Sequence, residues 1–206
     1  MARRAGISPE RVGGIVLAAG ASVRAGCSKA LATLDGEPFV LRVARALSEG
    51  GAAEVVVVVG PPREAAIRAA LSAAELVGVR AARNPAPERG MRSSMLVGLD
   101  ALGAVDAALV ALVDQPRVRA DTIAALLGAP GAPLVRPVYA GARGHPILVR
   151  RALFAALRDA PDGASARDAL AGAPAVDLDV DDPGVADRLD TLEAIRRAGG
   201  RAPGAG

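Results

Sequence analysis

The chain of 206 residues carries a formal net charge of +3 and is 51% apolar, yet Phe39, Tyr139 and Phe154 are its only aromatic residues, so its core must be built from Val, Leu, Ile and Ala. Arginines scattered among acids, with almost nothing aromatic to stack on bases, exclude a nucleic-acid partner, and a single cysteine excludes an internal disulfide or a cysteine-based zinc site. No apolar run is long enough to cross a bilayer, and the opening Met-Ala-Arg-Arg lacks the apolar stretch of a signal peptide, so a cytoplasmic protein with no membrane partner is expected.

Along the chain, apolar runs of strand length alternate with amphipathic stretches of helix length. Residues 12–18 are the first expected strand. Residues 38–48 form a helix with Phe39, Val40, Val43, Ala44 and Leu47 on one face. Residues 55–59 are five consecutive valines, a run apolar on both faces that fits a central parallel strand covered by helices on each side. A helix over 63–73, a strand over 77–82, a helix over 93–102 and a strand over 107–113 follow, then a helix over 121–127. Residues 133–139 and 146–150 read as two strands joined by the turn 141–144. Helices over 151–158 and 165–170, a strand over 175–180 and a last helix over 190–197 complete the pattern. This order predicts an α/β fold: a three-layer α/β/α sandwich with a Rossmann-like, mostly parallel sheet. Residues 1–199 form a single domain with no internal repeat. Residues 200–206, Gly-Arg-Ala-Pro-Gly-Ala-Gly, bury nothing and are expected to be a disordered tail.

In such sheets ligands sit beyond the carboxyl ends of the strands. The rarest residues of the chain gather in those loops. Lys29 is the only lysine in an arginine-rich sequence, Asn84 the only asparagine, Gln115 the only glutamine and His145 the only histidine. Lysine is a compact point charge and arginine a planar fork, so a lysine that persists in this background marks a site that does not accept arginine. Lys29 closes the loop that follows the first strand. That loop is neither a Walker A motif nor Gly-x-Gly-x-x-Gly. Still, the small residues Ala18, Ala19, Gly20, Ala21 and Ser22 let backbone N–H groups approach an anion closely, and Arg24 and Lys29 add two positive charges. A solvated surface loop is the plainer alternative; the lone lysine and the buried strand before it favour the anion site.

Leu17 to Leu31, read as Leu-Ala-Ala-Gly-Ala-Ser-x-Arg-x-Gly-x-x-Lys-x-Leu, resembles the signature of the nucleotidyltransferases that act on the molybdenum cofactor, enzymes whose sheet is of the nucleotide-diphospho-sugar transferase type. Ala18-Ala19-Gly20 resembles their cytidylyl-transferring branch. Four further segments are similar to the family: Asn84-Pro85 through Gly90-Met91-Arg92-Ser93-Ser94; Leu112-Val113-Asp114-Gln115-Pro116; Gly144-His145-Pro146; and Leu189-Asp190-Thr191-Leu192-Glu193, which has Leu192 where proline is usual. Asp162-Gly163-Ala164-Ser165-Ala166-Arg167 resembles a Gly-Ala-Arg segment, with Ser165 where glycine is usual.

Asp114, at the end of a strand, suits a magnesium ligand, because magnesium takes one or two carboxylates, substrate phosphates and water; a turn cap is the alternative. The resemblance implies Asp190 as the second carboxylate, although an Asp before Thr-Leu-Glu is also a good helix N-cap. Asp177, Asp179, Asp181 and Asp182 are rival acids, but alternation puts some of them on an exposed strand face. Asn84, Ser93 and Ser94 would read base and ribose, or one serine would cap a helix. Gly144, His145 and Arg167 would bind the acceptor, or His145 would anchor its loop. Cys27 reads as a bystander. The implied reaction is magnesium-dependent transfer of CMP from CTP to a phosphate-bearing acceptor, with Lys29, Arg24 and Asp114 catalytic. The resemblance implies molybdenum-bound molybdopterin as acceptor, and a molybdoenzyme or its maturation factor as partner. Two rival activities stay open: cytidylyl- or uridylyltransfer to methylerythritol phosphate or a sugar phosphate, and oxidoreduction of a pyridine pigment by a member of the same sequence family.

Overall fold

A computed structural model describes residues 10–20 and 28–203. Its centre is an eight-stranded sheet in the order β10 (Ala175–Asp179), β7 (Leu134–Tyr139), β9 (Ile147–Arg150), β6 (Ala107–Leu112), β1 (Val12–Leu17), β4 (Glu54–Val59), β5 (Val79–Arg83), with β8 (Ala142–Arg143) paired on β7. β1 (Val12–Leu17) lies between β4 (Glu54–Val59) and β6 (Ala107–Leu112), parallel to both, and β5 (Val79–Arg83) continues the parallel set beyond β4. The sheet is parallel from β5 to β6, so the loops after β1, β5 and β6 leave from one edge.

The five valines of β4 explain the layering. Val55, Val57 and Val59 enter one core with Phe39, Val40, Val43 and Leu47 of α1 (Phe39–Glu49), Ile67 and Leu71 of α2 (Glu64–Ala74), and Ile123 and Leu126 of α4 (Ala120–Leu127). Val56 and Val58 point the other way, into a second core with Met95, Leu99 and Leu102 of α3 (Met91–Leu102) and Leu157 of α5 (Phe154–Asp159). A strand apolar at every position therefore serves both faces at once. Close approach of α3 to β1 depends on a glycine: a Cβ at Gly98 would stand 2.5 Å from Ile15.

Several expected elements shift. The strand expected over 77–82 starts at Val79, and Val77 is left 95% exposed. The helix expected at 93 starts at Met91. The strand pair around 141–144 is more than a hairpin: the chain turns at Ala140 and Gly141, β8 (Ala142–Arg143) folds back on β7 (Leu134–Tyr139), and β9 (Ile147–Arg150) runs antiparallel between β7 and β6. β10 (Ala175–Asp179) closes the sheet, parallel to β7, and α6 (Ala166–Ala169) precedes it. An unexpected hairpin joins β2 (Thr33–Leu34) to β3 (Glu37–Pro38) through Asp35-Gly36, both at positive φ. Asp-Gly is the sequence signature of such a two-residue turn.

The end of the chain also differs from expectation. α7 (Leu192–Arg197) is followed by Gly200, which is buried, and Arg201, which exchanges two 2.8 Å backbone hydrogen bonds with Thr33. These two residues therefore belong to the domain rather than to a tail. A strand edge offers unpaired N–H and C=O groups, and the short β2 satisfies its own by this pairing.

Candidate functional site

The loops after β1, β5 and β6 enclose a cleft of about 380 Å³. At its centre β1 gives way to Ala18, whose N–H donates to Val58 O at 2.9 Å, then to buried Ala19 and exposed Gly20. Among the described residues a Cβ at Gly20 would meet nothing within 4 Å, so none of them requires glycine there. Ala21, Ser22, Arg24 and Cys27 lie outside the described residues. The chain resumes at buried Ser28, whose carbonyl accepts from Leu31 and Ala32 and folds Lys29–Leu31 into a 3-10 turn. This turn presents Lys29 to the cleft.

Asp114 follows β6 by two residues and is 4% exposed. Its Oδ2 takes Lys29 Nζ at 2.8 Å and Arg188 Nη2 at 3.5 Å. Its buried Oδ1 has no hydrogen-bond partner among the described residues. An unpaired buried carboxylate oxygen is costly, and a cation relieves that cost. The backbone of Asp114 is pinned as well: Leu189 N donates to its carbonyl at 2.8 Å, which brings Arg188 and half-buried Asp190 to the same wall. Asp190 is not the cap of α7. Thr191 is, its hydroxyl accepting from Ala194 N at 3.1 Å. Asp114 and Asp190 thus share the cleft with two cations, and among the described residues no group of three or more His, Cys, Asp or Glu gathers as a metal cage.

The rival acids are placed elsewhere. Asp177 is exposed and tied to Arg136 and Arg143; the Arg143 hydrogen bond, above all, holds its carboxyl below the ordinary value. Asp179 and Asp181 are exposed. Asp182 is buried, but it is spent on Arg119 N, Thr122 Oγ1 and Gly184 N.

At the β5 end, Pro87, Gly90, Met91 and Ser94 line the cleft. Gly90, at φ 91° and ψ −178°, opens α3 in a conformation essentially restricted to glycine. Asn84 is 2% exposed and fully occupied: its Nδ2 donates to Ser93 and Ser94, each at 2.9 Å, and its Oδ1 accepts from Ala86 N. Asn84 therefore braces the loop instead of facing the cleft. Ser93 is spent on Gly90 O at 2.8 Å. Ser94 reaches the cleft, and its own hydroxyl proton is uncommitted among the described residues.

The expected acceptor contacts are not gathered here. Gly144 is buried, and a Cβ there would stand 2.0 Å from Val185 O, so its glycine serves packing. His145 N donates to the same carbonyl at 3.0 Å. The His145 ring lines a small apolar pocket with Leu47, Gln115, Val118 and Ile123. Burial lowers its pKa to about 4, Arg188 adding to the effect and Asp114 opposing it. Arg167 is exposed on α6 and does not line the cleft. The sequence reading missed Arg188, because one arginine among so many carries no signal. It also missed Arg92, buried and donating to the carbonyls of Leu157, Ala160 and Pro161, which ties the start of α3 to the end of α5.

Residues 14–178 match the family described as MobA-like NTP transferase domain. Over 199 residues the chain is 35% identical to nicotine blue oxidoreductase of Paenarthrobacter nicotinovorans, spanning 90% of this chain and 95% of that protein. It is 36% identical over 136 residues to the 2-C-methyl-D-erythritol 4-phosphate cytidylyltransferase of Streptomyces avermitilis, spanning 63% of this chain and 54% of that one. Among solved structures, Rv0371c of Mycobacterium tuberculosis H37Rv superposes with a TM-score of 0.77 at 23% identity, over 92% of this chain and 98% of that chain.

Proposed function

Because the chain belongs to the family of MobA-like NTP transferase domains and is thereby a nucleotidyltransferase, we propose that it moves CMP from CTP to a phosphate-bearing acceptor with magnesium, and that the acceptor is molybdenum-bound molybdopterin. The observation that carries the transfer chemistry is the buried Oδ1 of Asp114, which has no hydrogen-bond partner among the described residues. Asp114 lines a cleft shared with Asp190, Lys29, Ala18, Ala19 and Gly20. One or two carboxylates beside room for phosphates suits magnesium, which prefers that donor set to an all-protein cage. Magnesium, when bound, would neutralise charge on the transferred and leaving phosphates.

The chain's own residues do the rest. The backbone after β1 cradles the phosphates, and Lys29 sets a positive charge against them. Gly90, Met91 and Ser94 line the end of the cleft left for the nucleoside. A phosphate on the acceptor attacks the α-phosphorus of CTP in line; the new phosphoanhydride bond forms as pyrophosphate leaves. Such a nucleophile is already deprotonated, so positioning and charge stabilisation suffice and no histidine base is needed. The choice of cytosine rests on Ala19, whose methyl would crowd the space a purine needs; a Cβ at Gly60 would stand 3.3 Å from both Ala19 Cβ and Pro87 Cγ, so glycine keeps that neighbourhood uncrowded. A shape difference of this kind discriminates by about 1–3 kcal/mol.

A second reading has its own observation, since the relative matched over 90% of the chain is named an oxidoreductase. The decisive assay offers each NTP with magnesium, with and without molybdopterin, and with methylerythritol phosphate as rival acceptor, and scores pyrophosphate. Acceptor-dependent pyrophosphate from CTP supports the transferase; turnover on methylerythritol phosphate alone moves the acceptor. Reduction of an added pyridine pigment by an added reduced nicotinamide dinucleotide, with no pyrophosphate from any NTP, supports the oxidoreductase.

A further inference from the structure

Lys29 and Arg188 are the two cations among the described residues that line the cleft; both reach Asp114 Oδ2, Lys29 from the turn after the β1 loop and Arg188 from the segment before α7. The sheet order sets the geography. Pro87, Gly90, Met91 and Ser94 follow β5, the Ala18–Gly20 backbone follows β1 in the middle, and Asp114 follows β6, with Arg188 held there by the hydrogen bond from Leu189 to the Asp114 carbonyl. A nucleotide lying from the β5 loops to the β1 loop leaves the β6 side for the second substrate. Gly144, His145 and Arg167 do not furnish that side, since none of them lines the cleft. Arg188 does.

The guanidinium of Arg188 is lightly committed. Its one side-chain hydrogen bond among the described residues is the 3.5 Å contact to Asp114 Oδ2, an oxygen already taken by Lys29 at 2.8 Å. That distance is at the outer limit of a hydrogen bond, so most of its five donors remain available. The side chain is 50% exposed, whereas the Asp114 side chain it contacts is 5% exposed. The neighbouring Asp187 is turned away and anchored by Arg117 at 2.9 Å, which fixes the segment without using Arg188. A planar fork with free donors at the open rim fits an oxyanion bidentately. A cation bound at Asp114 would also repel Arg188 from the carboxylate and free the fork for that anion.

We propose that Arg188 is the residue that binds the phosphate group of the acceptor, holding it on the β6 side of the cleft opposite the nucleoside. This rests on the transferase reading above, and it assigns the anion to the acceptor rather than to the triphosphate.

The test uses the full chain with Arg188→Ala, Arg188→Lys and wild type, each checked for an unchanged melting temperature. Calorimetry measures Mg·CTP binding, and then inorganic phosphate binding to protein saturated with Mg and a non-hydrolysable CTP analogue. Arg188→Ala should bind Mg·CTP within threefold of wild type yet lose phosphate affinity at least tenfold, with Arg188→Lys between the two. A tenfold loss of Mg·CTP affinity in Arg188→Ala would assign the residue to the triphosphate and overturn the proposal. Equal phosphate binding in all three proteins would overturn it too. If wild type binds no Mg·CTP, the transferase reading fails, and phosphate titrated without nucleotide then tests the anion site by itself: Arg188-dependent binding keeps the site, and Arg188-independent binding removes it.

Discussion

Lys29 Nζ and Asp114 Oδ2 lie 2.8 Å apart across 85 residues of sequence, joining the turn after the β1 loop to the end of β6 in the wall of the cleft. The pair holds the lysine where a phosphate would need it and supports a carboxylate that is almost wholly buried. Lys29→Ala should cost about 3 kcal/mol of transition-state stabilisation, roughly a hundredfold in turnover, the scale of one preorganised electrostatic contact. It should also lower the melting temperature, since a buried carboxylate loses a partner. Lys29→Arg should restore stability better than activity, because a fork cannot stand where a point charge stood. Turnover in Lys29→Ala within a few-fold of wild type, with the fold intact, would remove the loop from the chemistry.

On the proposed reading Asp190 serves the metal, while its neighbour Thr191 serves the helix. Thr191 caps α7, so Thr191→Ala should cost about 1 kcal/mol of stability and leave transfer largely intact. Asp190→Asn, which keeps the side chain's shape and leaves the Thr191 cap in place, should reduce magnesium-dependent pyrophosphate release. Asp114→Asn should abolish release while CTP still binds. Full activity in Asp190→Asn would leave Asp114 as the sole carboxylate at the metal.

Two glycines of the recognised segments should respond oppositely to alanine. A Cβ at Gly144 collides with Val185 O, and relieving such a clash costs about 1–3 kcal/mol, so Gly144→Ala should melt early. A Cβ at Gly20 meets no atom of the described residues within 4 Å. Gly20→Ala should keep the wild-type melting curve and weaken nucleotide binding, because the methyl occupies room that a phosphate needs. If Gly20→Ala binds Mg·CTP as wild type does, the backbone after β1 is not the phosphate cradle.

His145 should make the fold acid-sensitive. Its pKa is lowered from 6.5 to about 4, mainly by burial, with Arg188 adding and Asp114 opposing. Between those values the unfolded chain binds the proton and the folded chain does not, so stability rises with pH there. The neutral ring's contribution is complete above the unfolded pKa and is lost as pH falls through the interval. It amounts to about 3 kcal/mol, at about 1.4 kcal/mol per pKa unit. Melting temperatures from pH 7.5 down to pH 4 should fall less steeply for His145→Asn than for wild type. Parallel curves would show that the ring gains its proton freely in the folded state.

The sequence by itself determined the layers and the cleft edge. Five consecutive valines can be buried only between two helical layers, and the order of apolar runs made the central strands parallel, which sends the loops holding Lys29 and Asp114 to one edge. Both were legible because periodicity is local and because a lone lysine stands out against arginine. The tertiary structure alone decided how each polar atom is spent. Asn84 looked like a base reader until its amide was consumed by Ser93, Ser94 and Ala86. Asp190 looked like a helix cap until Thr191 took that position. Gly144 looked like a ligand contact until Val185 filled the space beside it. Arg188 looked like any other arginine until the backbone bond between Leu189 and Asp114 set it at the rim of the cleft. Hydrogen bonds are settled by neighbours remote in the chain, and no spacing rule carries that information; burial patterns repeat every two or three to four residues, and so can be read directly from the sequence.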